Sequence, residues 1–307
     1  MISEVYIVIV TFNGMKWLYK TLESIPENYN IIVVDNNSTD DTVNFVQTNY
    51  PEIQLLPQMV NLGFGRGNNI GITYALNQNA NYVFLLNQDA YLQNDTISKL
   101  VEVHKQNQEF GILSPIHLNG NNLKLDRNFS RYIGHDRNPN LYLDAFKDKL
   151  KLIYKFPFIN AAAWLIPTKA IKDIGGFDPF FFHYGEDDNY CHRMLYHGYQ
   201  IGVVPNSYVS HDRSQKLKDK SKSSLKEQLK VKEREYKIQY CNILNDDFPI
   251  NYNNKKNYVK RQIIKNILKL NFNKTHYLIK EYFMMKRINS SVKQSRELNT
   301  IKGSHYL

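Results

Sequence analysis

Two acidic clusters in this chain of 307 residues have the make-up of reacting groups. The first closes the stretch Tyr82-Val-Phe-Leu-Leu-Asn-Gln-Asp-Ala-Tyr91, where an apolar run stops at side-chain oxygens. Val83 to Leu86 are continuously apolar, as in a parallel strand covered on both faces, and such sheets bind ligands beyond the carboxyl ends of their strands. Asp89 would then face a ligand, and a lone carboxylate there suits a hard cation shared with substrate phosphates. Asn87 and Asp89 would serve equally as caps of a turn and the next helix. The second cluster, Gly185-Glu-Asp-Asp-Asn-Tyr-Cys-His-Arg193, follows the aromatic run Phe180 to Tyr184. Three adjacent acids there are costly to desolvate unless paired or hydrogen-bonded, which marks a candidate functional position. Acids at a helix start that answer free N–H groups would look the same.

The elements that must position these groups come from periodicity. Val5 to Val10 is a β-branched run ending in Thr11-Phe-Asn-Gly14, and Ile31 to Val34 is another ending in Asp35-Asn-Asn-Ser-Thr-Asp-Asp-Thr42. Trp17, Leu18, Leu22 and Ile25 recur at helical spacing between them, so the unit reads β-α-β, the start of a doubly wound sheet. Ser38 to Asp41 offers N-cap residues for a helix over 42–49. Asp35 at the second strand tip is where such a sheet puts an acid that accepts hydrogen bonds from a nucleotide. Neither GxGxxG nor GxxxxGK[ST] is present, which removes most of the weight from dehydrogenase and P-loop readings. Asn61-Leu-Gly-Phe-Gly-Arg-Gly-Asn-Asn69 precedes a helical pattern over 70–79; its glycines would let backbone approach a ligand, and Arg66 would pair with phosphate, or the segment is a surface turn. Residues 92–155 pattern weakly: a helix over 96–107, a short strand over 111–115, then an irregular segment of the kind that lines acceptor sites. Asp126, Arg131, His135 and Asp136 within it read as solvated. The small-residue run Asn160-Ala-Ala-Ala-Trp164 fits either a buried strand or backbone beside a sugar, and Ile201 to Val204 reads as the last strand.

Taken together, Val10-Thr-Phe-Asn-Gly14, Val33-Val-Asp-Asn-Asn-Ser38, Asn61-x-Gly-Phe64 and Asn87-Gln-Asp89 resemble the ordered motifs of family 2 glycosyltransferases of the GT-A fold, in particular the rhamnosyltransferase-like branch. The resemblance covers about residues 3–212. It implies an α/β fold with a Rossmann-like mixed sheet, and an enzyme that moves a sugar from a UDP- or dTDP-sugar, rhamnose being the lean, to a hydroxyl of a polysaccharide or glycolipid acceptor with inversion. It gives the nucleotide to Thr11, Phe12, Asn13, Asp35, Asn37, Gly63, Arg66 and Asn87. Asp89 and His211 would hold a divalent cation, Mg²⁺ or Mn²⁺. The family's Glu-Asp-x-Asp pattern matches as Glu186-Asp187-Asp188-Asn189, which makes Asp187 the general base. The chain departs from the family where Asn87 replaces the first carboxylate of the DxD-type motif, and an amide lacks the charge to hold a metal strongly. Asn189 likewise replaces a second aspartate. These departures leave a catalytically silent sugar- or nucleotide-binding scaffold as the rival from another class. A nucleotidyltransferase would want a Gly-rich basic loop after the first strand, which Thr11-Phe-Asn-Gly-Met-Lys16 does not supply.

Composition frames this reading. With 42% hydrophobic residues the chain can bury a proper core. Cys191 and Cys241 show no metal-ligand spacing, so neither a disulfide framework nor a zinc site is expected. No run nears the ~20 apolar residues of a membrane span, and the start lacks a basic, cleavable leader, so the expected place is the cytoplasm, at the inner face of the membrane if the basic tail touches it. Charge divides unevenly: residues 212–307 hold 23 Lys or Arg against 9 Asp or Glu, whereas residues 1–211 hold 16 against 20. The expected division is a catalytic domain over 1–212 and a basic helical extension over 213–307, with helices at 223–244, 255–270 and 275–288. Basic amphipathic helices lie on anionic membranes, or pack on the catalytic domain or in a homodimer with their lysines in solvent. Nucleic acid is not an expected partner, because no recognised binding module accompanies the charge.

Overall fold

The computed structural model describes residues 4–213 and 224–307. The lysine-rich stretch after Arg213, and the expected helix start at Ser223, lie outside the described residues. Among these, nine strands form one sheet in the order β3-β2-β1-β4-β8-β6-β9-β5, with β7 paired to β9. β1 (Val5–Thr11), β2 (Asn30–Asp35), β3 (Gln54–Pro57) and β4 (Tyr82–Asn87) run parallel, and β8 (Ala163–Pro167) is antiparallel to β4. β6 (Phe110–Asn119) pairs antiparallel with β8 and parallel with β9 (Gln200–His211), while β5 (Ala90–Leu92) and β7 (Tyr154–Lys155) lie antiparallel to β9.

The continuous apolar strands are apolar because both faces are covered. Val8, Val83 and Leu85 enter one core layer with Ile72, Trp164, Tyr190 and Met194; Ile7, Ile9, Phe84 and Leu86 enter the other with Leu18, Leu22, Val46 and Leu100. The first layer takes α3 (Phe64–Asn77), α7 (Thr168–Ile174) and α8 (Glu186–Tyr196); the second takes α1 (Leu18–Glu23), α2 (Thr42–Asn49) and α4 (Thr96–Gln106).

Two expected boundaries move. The glycines of residues 63–71 do not form a loop before the helix: α3 begins at Phe64, and Gly67 and Gly71 lie on its inner face. A methyl group on Gly71 would sit 2.3 Å from Val8 Cγ1, so these glycines bring helix to sheet instead of bringing backbone to a ligand. β9 continues past Val204 to His211, with a register shift that pairs Pro115 with Val204 and Ile116 with Tyr208. Pro205 falls in that bulge, where a missing N–H is tolerated.

After the sheet, α5 (Phe129–Tyr132) and α6 (Pro139–Phe146) having been spent in the irregular segment, the chain ends in α9 (Leu225–Tyr240), α10 (Phe248–Leu268) and α11 (Phe272–Asn299). These bury Tyr236, Tyr240, Tyr252, Leu278 and Met285 around Phe181, so their inner faces pack on each other and on the segment before α8. Buried Asp178 accepts from Ser295 Oγ (2.6 Å) and Asn299 Nδ2 (3.2 Å), and Gly176 N donates to His305 O (2.8 Å). No described helix is long and apolar enough to cross a membrane.

Candidate active site

The carboxyl ends of β1, β2 and β4 meet at one sheet edge, because the register sets Thr11 opposite Asp35 and Val10 opposite Asn87. Asp35 is buried and accepts from Thr11 Oγ1 (3.0 Å), Ser38 N (2.9 Å) and Ser38 Oγ. In the polar run after it Asp41 makes no side-chain cap bond, and Asp40 Oδ1 accepts from Thr42 N (3.2 Å) at the start of α2. The run also holds the turn after β1. Asn13 N donates to Ser38 Oγ (2.8 Å), Gly14 N to Thr42 Oγ1 (2.9 Å), and Thr39 N to Asn13 Oδ1 (2.8 Å). Asn13 and Asn37 both take positive φ (50° and 64°), conformations that asparagine adopts more readily than most residues. Phe12, Asn13 and Asn37 are left exposed around Asp35.

The middle residue of Asn87-Gln88-Asp89 closes the turn from the other side. Phe12 N donates to Gln88 Oε1 (2.9 Å), Gln88 Nε2 donates to Phe12 O (3.4 Å), and Thr21 Oγ1 donates to Gln88 O (2.6 Å). Asn87 keeps a buried Oδ1 without a hydrogen-bond partner. Asp89 lies 3.3 Å from His211 Nε2, since β5 pairs with β9 in a register that sets Ala90 opposite His211. His117, stacked on Phe129 (4.4 Å between centroids), meets the His211 ring edge-on at 6.1 Å.

Asp187 reaches the same edge through β8. Asn87 N donates to Ala162 O (2.9 Å), and the neighbouring Ala161 N–H donates to the Asp187 carboxylate. Gly185 precedes α8 in the left-handed conformation, so Glu186, Asp187 and Asp188 form its first turn. Burial pushes the Asp187 carboxyl above the usual range, although backbone N–H groups of Asp188, Asp187, Gly185 and Ala161 pull it back. Burial, then the Asp187 charge, raise Glu186 to about 8 and Asp188 to about 7; Arg234 of α9 opposes both shifts. Crowded acids in a poorly solvated turn can hold and release a proton near neutral pH. Asn189, at the position of the expected second aspartate, is buried with both amide atoms unpartnered.

Arg66 is on the first turn of α3, donates to Pro179 O (3.4 Å), and lines a hollow with Asn69, Thr73, Tyr306 and Leu307. Gly63 is buried at the α3 N-cap with φ 81°, and a methyl group there would sit 2.1 Å from Phe182 O. The backbone there requires glycine, and the Gly63 carbonyl accepts from Asn36 Nδ2 (3.1 Å), the residue after Asp35. Asp126 is buried and pairs with Arg213 (2.9 Å), correcting its solvated reading; Arg131, His135 and Asp136 are exposed. Gln88, Ser38, Thr42 and His117 escaped the sequence reading; only the surplus of Ser, Thr and Asp after Asp35, more than one helix cap uses, signalled the first turn.

A mixed sheet of this order, with one carboxylate at the end of its second strand, another in the turn after its fourth and a third on the first turn of a helix, defines the GT-A class of nucleotide-sugar transferase. A family model, "Glycosyl transferase family 2", matches residues 6–175. The chain belongs to that family and is a glycosyltransferase. It is 24% identical over 224 residues to the dTDP-rhamnosyl transferase RfbF of Shigella flexneri, covering 70% of this chain and 72% of the relative. Among solved structures it resembles TarS of S. aureus in complex with UDP (TM-score 0.54, 16% identity, 80% of this chain and 67% of that one). It also resembles the mannosyltransferase PcManGT of Pyrobaculum calidifontis in complex with GDP-Man and Mn²⁺ (TM-score 0.52, 15% identity, 77% and 62%). At such identities these two likenesses bear on the fold alone.

Proposed function

We propose that the chain transfers a sugar, rhamnose first among candidates, from a UDP- or dTDP-sugar to a hydroxyl of a saccharide or lipid-linked saccharide acceptor, with inversion, in the making of a cell-surface polysaccharide or glycolipid. The observation that carries this reading is the sharing of one sheet edge by Asp35, the Asp89–His211 pair and Asp187. The likeness to the dTDP-rhamnosyl transferase RfbF supports dTDP-rhamnose.

In this reading Thr11, Phe12, Asn13, Asp35 and Asn37 receive the nucleoside, and Asn87 accepts from a ribose hydroxyl through the oxygen that now lacks a donor. Among the described residues no three His, Cys, Asp or Glu side chains surround a metal position. Two protein donors nevertheless fit a Mg²⁺ or Mn²⁺ that takes its other ligands from diphosphate and water. Asp89 and His211 would hold that ion, which, when bound, neutralises charge on the departing diphosphate. Asp187 takes the proton of the acceptor hydroxyl as its oxygen bonds to the anomeric carbon; the bond from that carbon to the diphosphate oxygen breaks, and the nucleoside diphosphate leaves as an anion. Gly63, whose carbonyl holds Asn36 beside Asp35, and Arg66, on the first turn of α3, belong to the same proposed donor site. The proposed division remains 1–212 for catalysis and 213–307 for the extension, working at the cytoplasmic face of a membrane, with homodimer formation part of the same proposal.

A panel of UDP-, dTDP- and GDP-sugars, scored by nucleoside diphosphate released with and without Mn²⁺, tests the donor. Faster release from dTDP-rhamnose than from the rest is expected. Release from GDP-sugars alone would refute the donor assignment, and binding of nucleotide without any turnover on every donor and acceptor tried would favour the silent scaffold.

A further inference from the structure

The hairpin of α10 and α11 carries chemistry that sugar transfer leaves unused. Residues 248–280 contain eight Lys or Arg and no Asp or Glu. The inner faces of the two helices are satisfied, since Tyr252 and Val259 pack with Leu278, Met285 and Ile288. At the tip, however, Leu268, Leu270 and Phe272 are 80%, 72% and 69% exposed, with Ile264 and Ile267 also exposed beside them. Arg261, Lys265, Lys269 and Lys274 are interleaved with these side chains and equally open to solvent. Leu270 has φ 53°, a left-handed conformation in which glycine or asparagine is the low-strain residue, yet the turn carries a large apolar side chain. The apolar stripe continues along α11, where Phe272, Ile279 and Phe283 fall at positions i, i+7 and i+11 of one face and remain exposed.

We propose that this hairpin is an interfacial anchor, its aliphatic tip seated at the headgroup boundary of a bilayer that contains anionic lipid. Charge complementarity selects that occupant. A cluster of five large apolar residues loses its exposed surface only in an apolar phase, and the surrounding basic side chains then sit at headgroup level, the arrangement of interfacial helices with Lys and Arg flanks. Two copies of the hairpin meeting tip to tip would oppose like charges. Nucleic acid would pair with the lysines but leave the aliphatic tip in water, and single strands are bound by aromatic stacking that one phenylalanine supplies poorly. The inference deepens the membrane contact included in the proposed function, and rests on it only for the setting; it does not depend on the donor or base assignments.

The test is flotation of the full chain with vesicles of phosphatidylcholine alone and with 30% phosphatidylglycerol, a composition chosen as about a third anionic. The chain is expected to float with the anionic vesicles, to lose most of that association when salt screens the charges, and to stay behind with the neutral ones. Each lysine near a charged surface is worth about five-fold in partitioning, so Lys265→Gln with Lys269→Gln is expected to weaken it about 25-fold. Leu268→Ser with Leu270→Ser and Phe272→Ser is expected to weaken it at least about ten-fold. Nucleoside diphosphate release from a sugar nucleotide should be unchanged in both variants, which reports that they fold. Equal flotation with neutral and anionic vesicles, or flotation of either variant equal to the parent, would overturn the proposal. So would a parent that ignores vesicles but forms a dimer that the serine variant loses, because the tip would then belong to a second copy. Loss of nucleoside diphosphate release by the parent, with flotation intact, would instead count against the transferase assignments and leave the anchor standing.

Discussion

Replacing Asp187 by Asn separates the proton-transfer role of this side chain from its place in the fold. Asparagine keeps an oxygen that can accept from the Ala161 N–H, and Asp187 is not among the residues proposed to hold the nucleotide or the cation. Nucleotide affinity should therefore stay within about two-fold, a few tenths of a kcal/mol. Transfer should fall by about 10²–10⁴-fold, the usual contribution of a positioned base, or about 3–5 kcal/mol of barrier. The same change has a signed effect on stability. The folded Asp187 carboxyl is raised above its ordinary value of 3.8 by burial, so wild-type stability is greatest below that value and declines as pH rises through the folded titration. Removing the charge relieves Glu186 and Asp188 as well, both raised in part by Asp187. The variant should accordingly be more stable than the parent at pH 8, by on the order of 1 kcal/mol once the favourable helix N-terminus is discounted, with the difference fading below about pH 4. Steady-state transfer, nucleotide calorimetry and thermal melts at the two pH values give the three readings. Transfer reduced less than ten-fold would refute the base assignment, and a variant less stable than the parent at pH 8 would refute the claim that the charge is held there at a cost.

Three further outcomes follow from the geometry. His211→Ala and Asp89→Ala should each weaken nucleoside diphosphate binding at least about ten-fold in Mn²⁺ while changing it little in EDTA, by calorimetry; equal losses in both media would remove the cation from the site. Asp178→Ala strands buried donors from Ser295, Asn299 and Phe180, and should destabilise by about 3–5 kcal/mol in urea, with a loss under 1 kcal/mol showing that the extension is not fastened there. Gly71→Ala drives a methyl group against Val8 on β1 and should cost about 1–3 kcal/mol of stability through helix displacement, a neutral melt meaning that α3 yields more freely than its packing suggests.

The parts of the molecule legible in the sequence are those whose causes are local. Val5 to Val10, Ile31 to Val34 and Val83 to Leu86 are strands with two covered faces, and an unbroken apolar run states that directly. Three- and four-residue spacing marked the extension's helices as elements but not their bounds, since α10 begins at Phe248 instead of 255 and α11 runs to Asn299 instead of 288; the capping box of Ser224 and Glu227 that starts α9 went unread. The glycines of α3 misled because a glycine records only that something comes close. In sequence a nucleotide and the Val8 side chain look alike, and the structure supplies the valine.

What local pattern could not carry was support at long separation. Gln88 reaches back to the Phe12 backbone across 76 residues, and Ser210 and His211 are brought beside Asn122 and Asp89 only because β9 runs on through a bulge. These contacts share a physical logic. The first turn of the chain has few apolar side chains to fix it, so it is fixed by hydroxyl and amide groups from neighbouring segments, with the bond from Gly14 N to Thr42 Oγ1 buried and those from Phe12 N and Asn13 N at the surface. The buried Gly14 N–H would be costly to leave unpaired, whereas the bonds of Phe12 and Asn13 hold the shape of the turn. A nucleotide arriving at Thr11 to Asn13 would therefore meet a surface already ordered by Ser38, Thr42 and Gln88, with little entropy left to lose on binding. The residues that order the turn should on this account affect nucleotide affinity as strongly as those that touch the ligand, and Gln88→Ala, which frees the Phe12 N–H without removing any proposed ligand contact, isolates that effect.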